Sequence, residues 1–120
     1  MVIRADGELE VLDTGMVPRL GAPDMPARAE VQERRIEPGE RVLMLSDGIL
    51  GRETVGGGTL GVAGVHAAAM KSPDASAAGT VRAIEDAVRE SVVDPLGDDA
   101  TLIVLVPADL DVPGGAEAET

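Results

Sequence analysis

The sequence predicts an α+β fold, with antiparallel strands in the first half of the chain and a pair of helices followed by one more strand in the second half. Residues 1–12 and 30–46 alternate apolar and polar side chains around a glycine-containing turn, the pattern of β-hairpins. Residues 61–70 and 75–93 are rich in alanine and place apolar side chains at helical spacing. Residues 100–106 are mostly apolar and partly β-branched, which predicts a buried strand.

Turns at Asp6-Gly7 and Pro38-Gly39 delimit the strands of the two hairpins. The predicted hairpin strands are, in chain order, residues 2–3, 9–12, 30–36 and 42–45. Residues 13–29 connect the hairpins and contain several glycine and proline residues, so they predict an irregular connection.

Loops divide the second half of the chain. Residues 51–59 form a polar, glycine-rich loop, and residues 72–76 supply a break and an N-cap between the two helices. Residues 108–120 are acidic and glycine-rich and predict a disordered tail. The sequence therefore predicts one domain over residues 1–107, followed by this tail.

Composition excludes several classes of function. The formal net charge of −12 argues against nucleic acid as a partner, and the absence of cysteine excludes disulfides and thiolate sites. With no Phe, Tyr or Trp, aliphatic residues must fill the core, so we expect modest stability or dependence on a partner surface. The N-terminus lacks a signal pattern and no apolar run approaches the ~18 residues of a membrane span, which predicts a cytoplasmic protein without membrane contacts.

Acidic residues stand beside two predicted buried strands. Asp47 follows the strand over 42–45, and Asp98-Asp99 precedes the strand over 100–106. If these strands are antiparallel neighbours, the two acidic groups meet at one edge of the sheet, where a hard divalent cation would neutralise them. Gly48 would permit close backbone approach and an unusual dihedral. Ordinary turns at strand ends explain the same residues, because Asp and Gly are common in turns.

A series of short motifs resembles the C-terminal half of a PPM-type, metal-dependent serine/threonine protein phosphatase of the SpoIIE-like bacterial branch. The motifs are, in chain order, Asp6-Gly7, Asp13-Thr14-Gly15, Leu20-Gly21, Pro38-Gly39-Glu40, Ser46-Asp47-Gly48, Leu60-Gly61 and Asp98-Asp99-Ala100-Thr101. Each motif is short, but their order and spacing are specific together, and they extend over residues 2 to 107. The resemblance implies a partial PPM-phosphatase β-sandwich with a helical pair packed on one face.

The resemblance also implies a site and an activity. It places metal ligands at Asp47 and Asp98, with Gly48 and Asp99 in support, in a centre that is binuclear for Mn²⁺ or Mg²⁺ in the complete family domain. The implied reaction is hydrolysis of phosphoserine or phosphothreonine on a regulatory protein such as an anti-sigma-factor antagonist. Arg52, the arginine nearest to Asp47 in the sequence, is a candidate for binding the substrate phosphate, although arginines are more often solvated.

One part of the family pattern is missing. The family domain begins with an upstream half whose Asp-Gly motif bridges both metals, and nothing in residues 1–40 resembles it. We therefore expect about five strands of an incomplete sandwich and half of an active site. An incomplete sandwich leaves sheet edges or an apolar face exposed, which invites pairing with a complementary N-terminal half or with a second copy of the chain.

Other residues have weaker functional interpretations. His66, the only histidine, is expected to be a half-buried helical residue and not a general acid. Gly56-Gly57-Gly58 is expected to form a mobile loop beside the metal site, since no lysine follows as in a P-loop. Arg34 and Arg35 could hold a phosphate or lie in solvent.

The sequence thus leaves three hypotheses: a metal-dependent phosphatase, a non-catalytic regulatory or protein-interaction module derived from one, and a simple cation-binding domain.

Overall fold

The computed structural model describes residues 1–12, 23, 31–91 and 99–108. The described residues form four strands and three helices, which are, in chain order, β1 (Val2–Ile3), β2 (Leu9–Glu10), β3 (Arg41–Leu45), α1 (Asp47–Leu50), α2 (Gly61–Ala69), α3 (Ala77–Ser91) and β4 (Leu102–Leu105). The strands form one antiparallel sheet in the order β2-β1-β3-β4. With helices α2 and α3 packed against this sheet, the predicted α+β class is confirmed.

The central strand β3 contributes side chains to the core on one face of the sheet and to the surface on the other. Its side chains alternate between the two faces, so that Leu43 is fully buried while Met44 is 54% exposed. Ile3 of β1, Val65 of α2 and Ile84 of α3 pack in the same cluster as Leu43. Aliphatic side chains thus fill the core, as the absence of aromatic residues requires.

Both predicted helices are present, and a buried arginine ties them to the sheet. The Ser76 hydroxyl accepts the backbone N–H of Gly79 at 3.0 Å, which caps the start of α3. Arg41 of β3 donates to the Thr80 hydroxyl at 3.1 Å and to the Ala69 carbonyl at 3.4 Å, at the C-terminal end of α2. A cation at that end interacts favourably with the helix dipole.

The first hairpin is confirmed, although its second strand is shorter than predicted. Val2 pairs with Glu10, and Gly7 in the turn has a φ of +90°, a conformation that glycine adopts without strain. The predicted strand over 9–12 ends at Glu10. The last strand, β4, is also shorter than predicted, since it covers four of the residues 100–106.

The second predicted hairpin is wrong. The turn at Pro38-Gly39 is present, with the Glu40 N–H donating to the Glu37 carbonyl at 3.0 Å, but residues 31–36 form no strand. The physical reason is that β3 already pairs with β1 along one edge and with β4 along the other, so neither edge is free for residues 31–36. Alternation alone could not reveal which segments compete for β3.

An apolar surface lies on the side of the sheet opposite the helices. We call it the open face and define it by Met44, Ile103 and Leu105, which are 54%, 47% and 52% exposed. A second sheet of a sandwich is not among the described residues. Apart from Pro23, the predicted connection over 13–29 lies outside them, as does the predicted tail beyond Ala108. Within the described part of the chain, no helix has the length and apolar character needed to cross a membrane.

Candidate functional site

Strands β3 and β4 bring the two acidic motifs to one corner of the sheet. Leu45 at the end of β3 pairs with Leu102 at the start of β4, and the Ser46 N–H donates to the Thr101 carbonyl at 3.0 Å. The end of one strand therefore lies beside the beginning of the other, as the antiparallel arrangement predicts. We call the junction of residues 46–48 with residues 99–101 the acidic corner.

Gly48 lies close to the main chain of Asp99. A Cβ atom built on Gly48 would lie 1.9 Å from the Asp99 carbonyl oxygen, a distance that no side chain can occupy. The predicted close approach is confirmed. The predicted unusual dihedral is wrong, because Gly48 lies in the helical turn α1 and its φ is not positive. The sequence left a turn or a metal site open for this segment and did not predict the short helix α1.

The structure describes Asp47 and Asp99 of the predicted site but not Asp98. Asp47 is the first residue of α1, where its exposed carboxylate lies at the positive end of the helical turn. Asp99 is also exposed, and its main chain contacts Gly48. Asp98 lies outside the described residues. Of the two predicted ligands, only Asp47 is among the described residues of the corner.

The donor chemistry of the acidic corner suits a hard cation, but the described residues do not complete a metal site. Carboxylate oxygens are ligands that Mn²⁺ and Mg²⁺ accept. Among the described residues, no three His, Cys, Asp or Glu side chains are grouped so that they could hold a metal ion. Further ligands would have to come from Asp98 or from another segment.

Arg52 lines a groove that begins beside the acidic corner. The groove has a volume of about 330 Å³ and lies between α3, the start of β4 and Ile49, with Ala100 of the corner in its wall. The Nε atom of Arg52 is buried and has no hydrogen-bond partner among the described residues. A buried donor without an acceptor costs free energy, and the Nε atom of Arg41 is in the same situation.

Arg34 is engaged elsewhere and is not a phosphate donor. Its guanidinium donates to Glu40 at 2.9 Å and to Glu10 at 2.7 Å, and it also donates to the Arg35 carbonyl at 2.7 Å. Two carboxylates and a carbonyl thereby use the face that a phosphate would need. Arg35 is exposed and pairs with Glu37 at 3.1 Å.

The Arg34 cluster predicts an acid-dependent loss of stability. The hydrogen bonds from Arg34, followed by that from the Glu37 N–H, lower the pKa of Glu40 from its ordinary 4.5 to about 2. A lowered pKa stabilises the folded state above pH 4.5, and this contribution is lost as the pH falls towards 2. We expect Glu40→Gln to melt at a lower temperature than the wild type at pH 6, and the difference to shrink as the pH falls to about 2. Circular dichroism melts measure it, and a constant difference at every pH would contradict the assignment.

His66 has a structural contact and confirms the expectation of a half-buried helical residue. It lies in α2, and its Nε2 donates to the Gly7 carbonyl at 2.8 Å, which docks the first hairpin turn onto the helix. The Nε2 atom of His66 thus makes a structural hydrogen bond.

The glycine-rich loop after Arg52 forms a small hairpin. Glu53 bridges to Thr59, and the Thr54 hydroxyl donates to the Gly57 carbonyl at 2.7 Å. Gly57 and Gly58 have φ values of +86° and +79°. These glycines therefore make a tight turn that closes the hairpin, and α2 begins three residues after Gly58, at Gly61.

The acidic corner places two aspartate-bearing motifs at one end of an antiparallel sheet. The family model described as stage II sporulation protein E (SpoIIE) matches residues 1–106. Since this match covers most of the chain, the chain belongs to the SpoIIE family, which is a family of PPM-type phosphatases. The predicted family is confirmed, and with it a phosphatase-related function in general. No curated protein sequence and no solved structure matches the chain.

Proposed function

We propose that this chain carries part of the active site of a metal-dependent protein serine/threonine phosphatase. In this proposal Asp47 and Asp98 bind Mn²⁺ or Mg²⁺, and Asp99 and Gly48 support them. When bound, such a metal lowers the pKa of a water and stabilises charge on the phosphoryl group. The observation that carries the proposal is the acidic corner, in which β3 and β4 place the Ser46-Asp47-Gly48 motif against Asp99.

The chain's own residues contribute three things to the proposed site. Gly48 lets the two main-chain segments come into contact, so that a carboxylate from each strand end can share one cation. Asp47 adds a negative charge that is exposed and open to a ligand. Arg52, which lines the adjoining groove, is proposed to bind the substrate phosphate through its guanidinium.

The proposed substrate is a phosphorylated regulatory protein, and an anti-sigma-factor antagonist is the proposed class. A cytoplasmic location stays a prediction. The proposed partner for the site is an N-terminal half that supplies the bridging Asp-Gly motif. The open face gives this partner proposal its support, because an apolar sheet surface of this kind is typical of an interface.

A non-catalytic regulatory module is the second candidate, and two observations favour it. No group of three or more metal-binding side chains lies among the described residues, and the open face could serve a partner protein without any chemistry. In this case the family relationship would describe descent and not activity.

Hydrolysis of a phosphoserine peptide in Mn²⁺ tests the two candidates. For a phosphatase we expect the chain, assayed together with an N-terminal half that supplies the bridging Asp-Gly motif, to show metal-dependent turnover. This turnover should fall by about 100-fold or more in Asp47→Asn and in Asp98→Asn, because each change removes a ligand charge. Asp86→Asn is the matched control, since Asp86 is an exposed aspartate of α3 that does not belong to the acidic corner, and it should retain turnover. If the reading frame that encodes this chain also encodes an Asp-Gly half upstream, the longer protein should be assayed in the same way. A well-folded protein whose turnover equals that of Asp47→Asn would favour the non-catalytic module.

A further inference from the structure

Strand β4 has one edge without a partner strand among the described residues. It pairs with β3 on one side, and the order β2-β1-β3-β4 places its other side at the margin of the sheet. Residues 101–106 contain no charged side chain and no proline. Proteins commonly use both to keep an edge strand from pairing with another chain, so this outer edge of β4 is unprotected.

The opposite margin of the sheet, at β2, is protected. Strand β2 has only two residues, and one of them is Glu10, whose carboxylate is paired with Arg34 at 2.7 Å. A short strand with a charged side chain is a poor template for another chain. Of the two margins, β4 is therefore the one that offers a longer, aliphatic and uncharged edge.

The hydrogen bonds of the sheet show which backbone groups of β4 point outward. The Ser46 N–H donates to the Thr101 carbonyl, so the backbone of Thr101 faces β3. Along an antiparallel ladder, successive residues direct their N–H and C=O groups alternately to one neighbour and to the other. Two residues of β4 therefore direct these groups to its outer edge: Leu102 and Val104.

A second copy of β4 fits this edge in a symmetric register centred on Val104. Each Val104 then donates its N–H to the Val104 carbonyl of the other copy, and Ile103 lies opposite Leu105 of the second copy, on the open face. The two open faces become one apolar surface. A register centred on Ile103 is less suitable, because it would place the polar Thr101 opposite Leu105.

Antiparallel pairing also keeps the charges of the two copies apart. Each chain has a formal net charge of −12, so two copies can approach closely only at an uncharged surface. In the register centred on Val104, the acidic corners of the two copies lie at opposite ends of the paired strands. They are then roughly 25 Å apart along the strands, which exceeds the Debye length of about 8 Å at physiological salt.

We propose that this protein forms a homodimer in which β4 pairs antiparallel with β4 of a second copy. The two four-stranded sheets thereby become one sheet of eight strands. Main-chain hydrogen bonds supply affinity, and the side chains of Ile103 and Leu105 fix the register. This inference does not depend on the proposed phosphatase function.

Sedimentation equilibrium tests the proposal, with interference optics because the chain has no Trp or Tyr. We expect the mean mass to rise with concentration from that of one chain towards that of two. Ile103→Glu and Leu105→Lys should each weaken self-association about tenfold or more, because each dimer then has two unpaired charges beside apolar side chains. Both positions are about half exposed, so we expect the circular dichroism spectrum of each variant to match the wild type.

An equimolar mixture of the two variants tests the register. Ile103→Glu in one copy and Leu105→Lys in the other place opposite charges directly across from each other, while the second cross-strand pair stays apolar. The mixture should therefore associate more tightly than either variant alone. Val31→Glu is the control, because Val31 is 83% exposed and belongs neither to β4 nor to the open face. It should associate like the wild type.

Amide exchange of the wild type gives a second measurement that needs no substitution. The Val104 N–H should become more protected as concentration rises, whereas the Ile103 N–H, which faces β3, should not change. A chain that stays monomeric up to about 1 mM would overturn the proposal and leave the outer edge to a strand of another protein. Self-association that Ile103→Glu does not weaken would overturn it too, as would a mixture of the variants that associates no better than either alone.

Discussion

Gly48→Ala is expected to destabilise the protein by about 3 kcal/mol and to disrupt the acidic corner, because inserted atoms in a packed site cost about 1–3 kcal/mol or more. The new Cβ would lie 1.9 Å from the Asp99 carbonyl oxygen and 2.7 Å from its carbonyl carbon. Both are backbone atoms, so no flexible side chain can move aside. Either α1 or the start of β4 must shift, and the proposed metal ligands would separate. Urea unfolding followed by circular dichroism measures the change, since the chain has no Trp or Tyr for fluorescence.

Gly56→Ala is the matched control for this substitution. A Cβ on Gly56 would meet nothing within 4 Å, and its φ is not positive. The same chemical change should therefore alter the free energy of unfolding by less than about 0.5 kcal/mol. Equal stability of Gly48→Ala and Gly56→Ala would show that the two strand ends are not in contact in solution.

Ile84→Ala is expected to cost about 2–5 kcal/mol, the range for removing a large aliphatic side chain from a core. Ile84 is fully buried where α3 meets the sheet. Alanine is the better helix former, but this offsets only a few tenths of a kcal/mol. In a core without aromatic side chains, such a loss is a large fraction of the roughly 5–15 kcal/mol that keeps domains folded.

Ile103→Ala is the control for Ile84→Ala, because the same side chain is lost from the open face. Ile103 is 47% exposed, so its removal should cost the isolated chain less than about 1 kcal/mol. Urea unfolding of both variants gives the comparison. Comparable losses would mean that the open face is covered in solution, by a partner or by a second copy of the chain.

Much of the fold was predictable because it depends on local signals. Helix periodicity predicted α2 and α3, and the turn at Asp6-Gly7 predicted the first hairpin. The meeting of the Asp47 and Asp99 segments was also predictable, since it follows once β3 and β4 are paired antiparallel. Strand pairing itself is not local, and for this reason residues 31–36 were wrongly assigned to a strand.

The parts of the site that sequence reasoning missed depend on contacts between distant segments. The sequence around Ser46 does not indicate that its hydroxyl bonds to Asp99 and Thr101, because a serine before a helix ordinarily caps the N-terminus of that helix. Arg34 was likewise unpredictable, since its partners Glu10 and Glu40 lie on either side of it in the chain. A salt-bridge cluster of this kind has no fixed sequence spacing.

The strand order has a consequence for how the chain folds during synthesis. β3 is central, and its partner β4 comes last among the described strands, after both long helices. A ribosome would therefore release β3 and α2 with one edge of β3 unpaired until β4 emerges. Contacts between segments so distant in sequence form slowly, and an unpaired apolar edge is open to the wrong partner in the interval. The acidic corner is thus among the last features of the sheet to form, and chains cut short before β4 would be prone to aggregate.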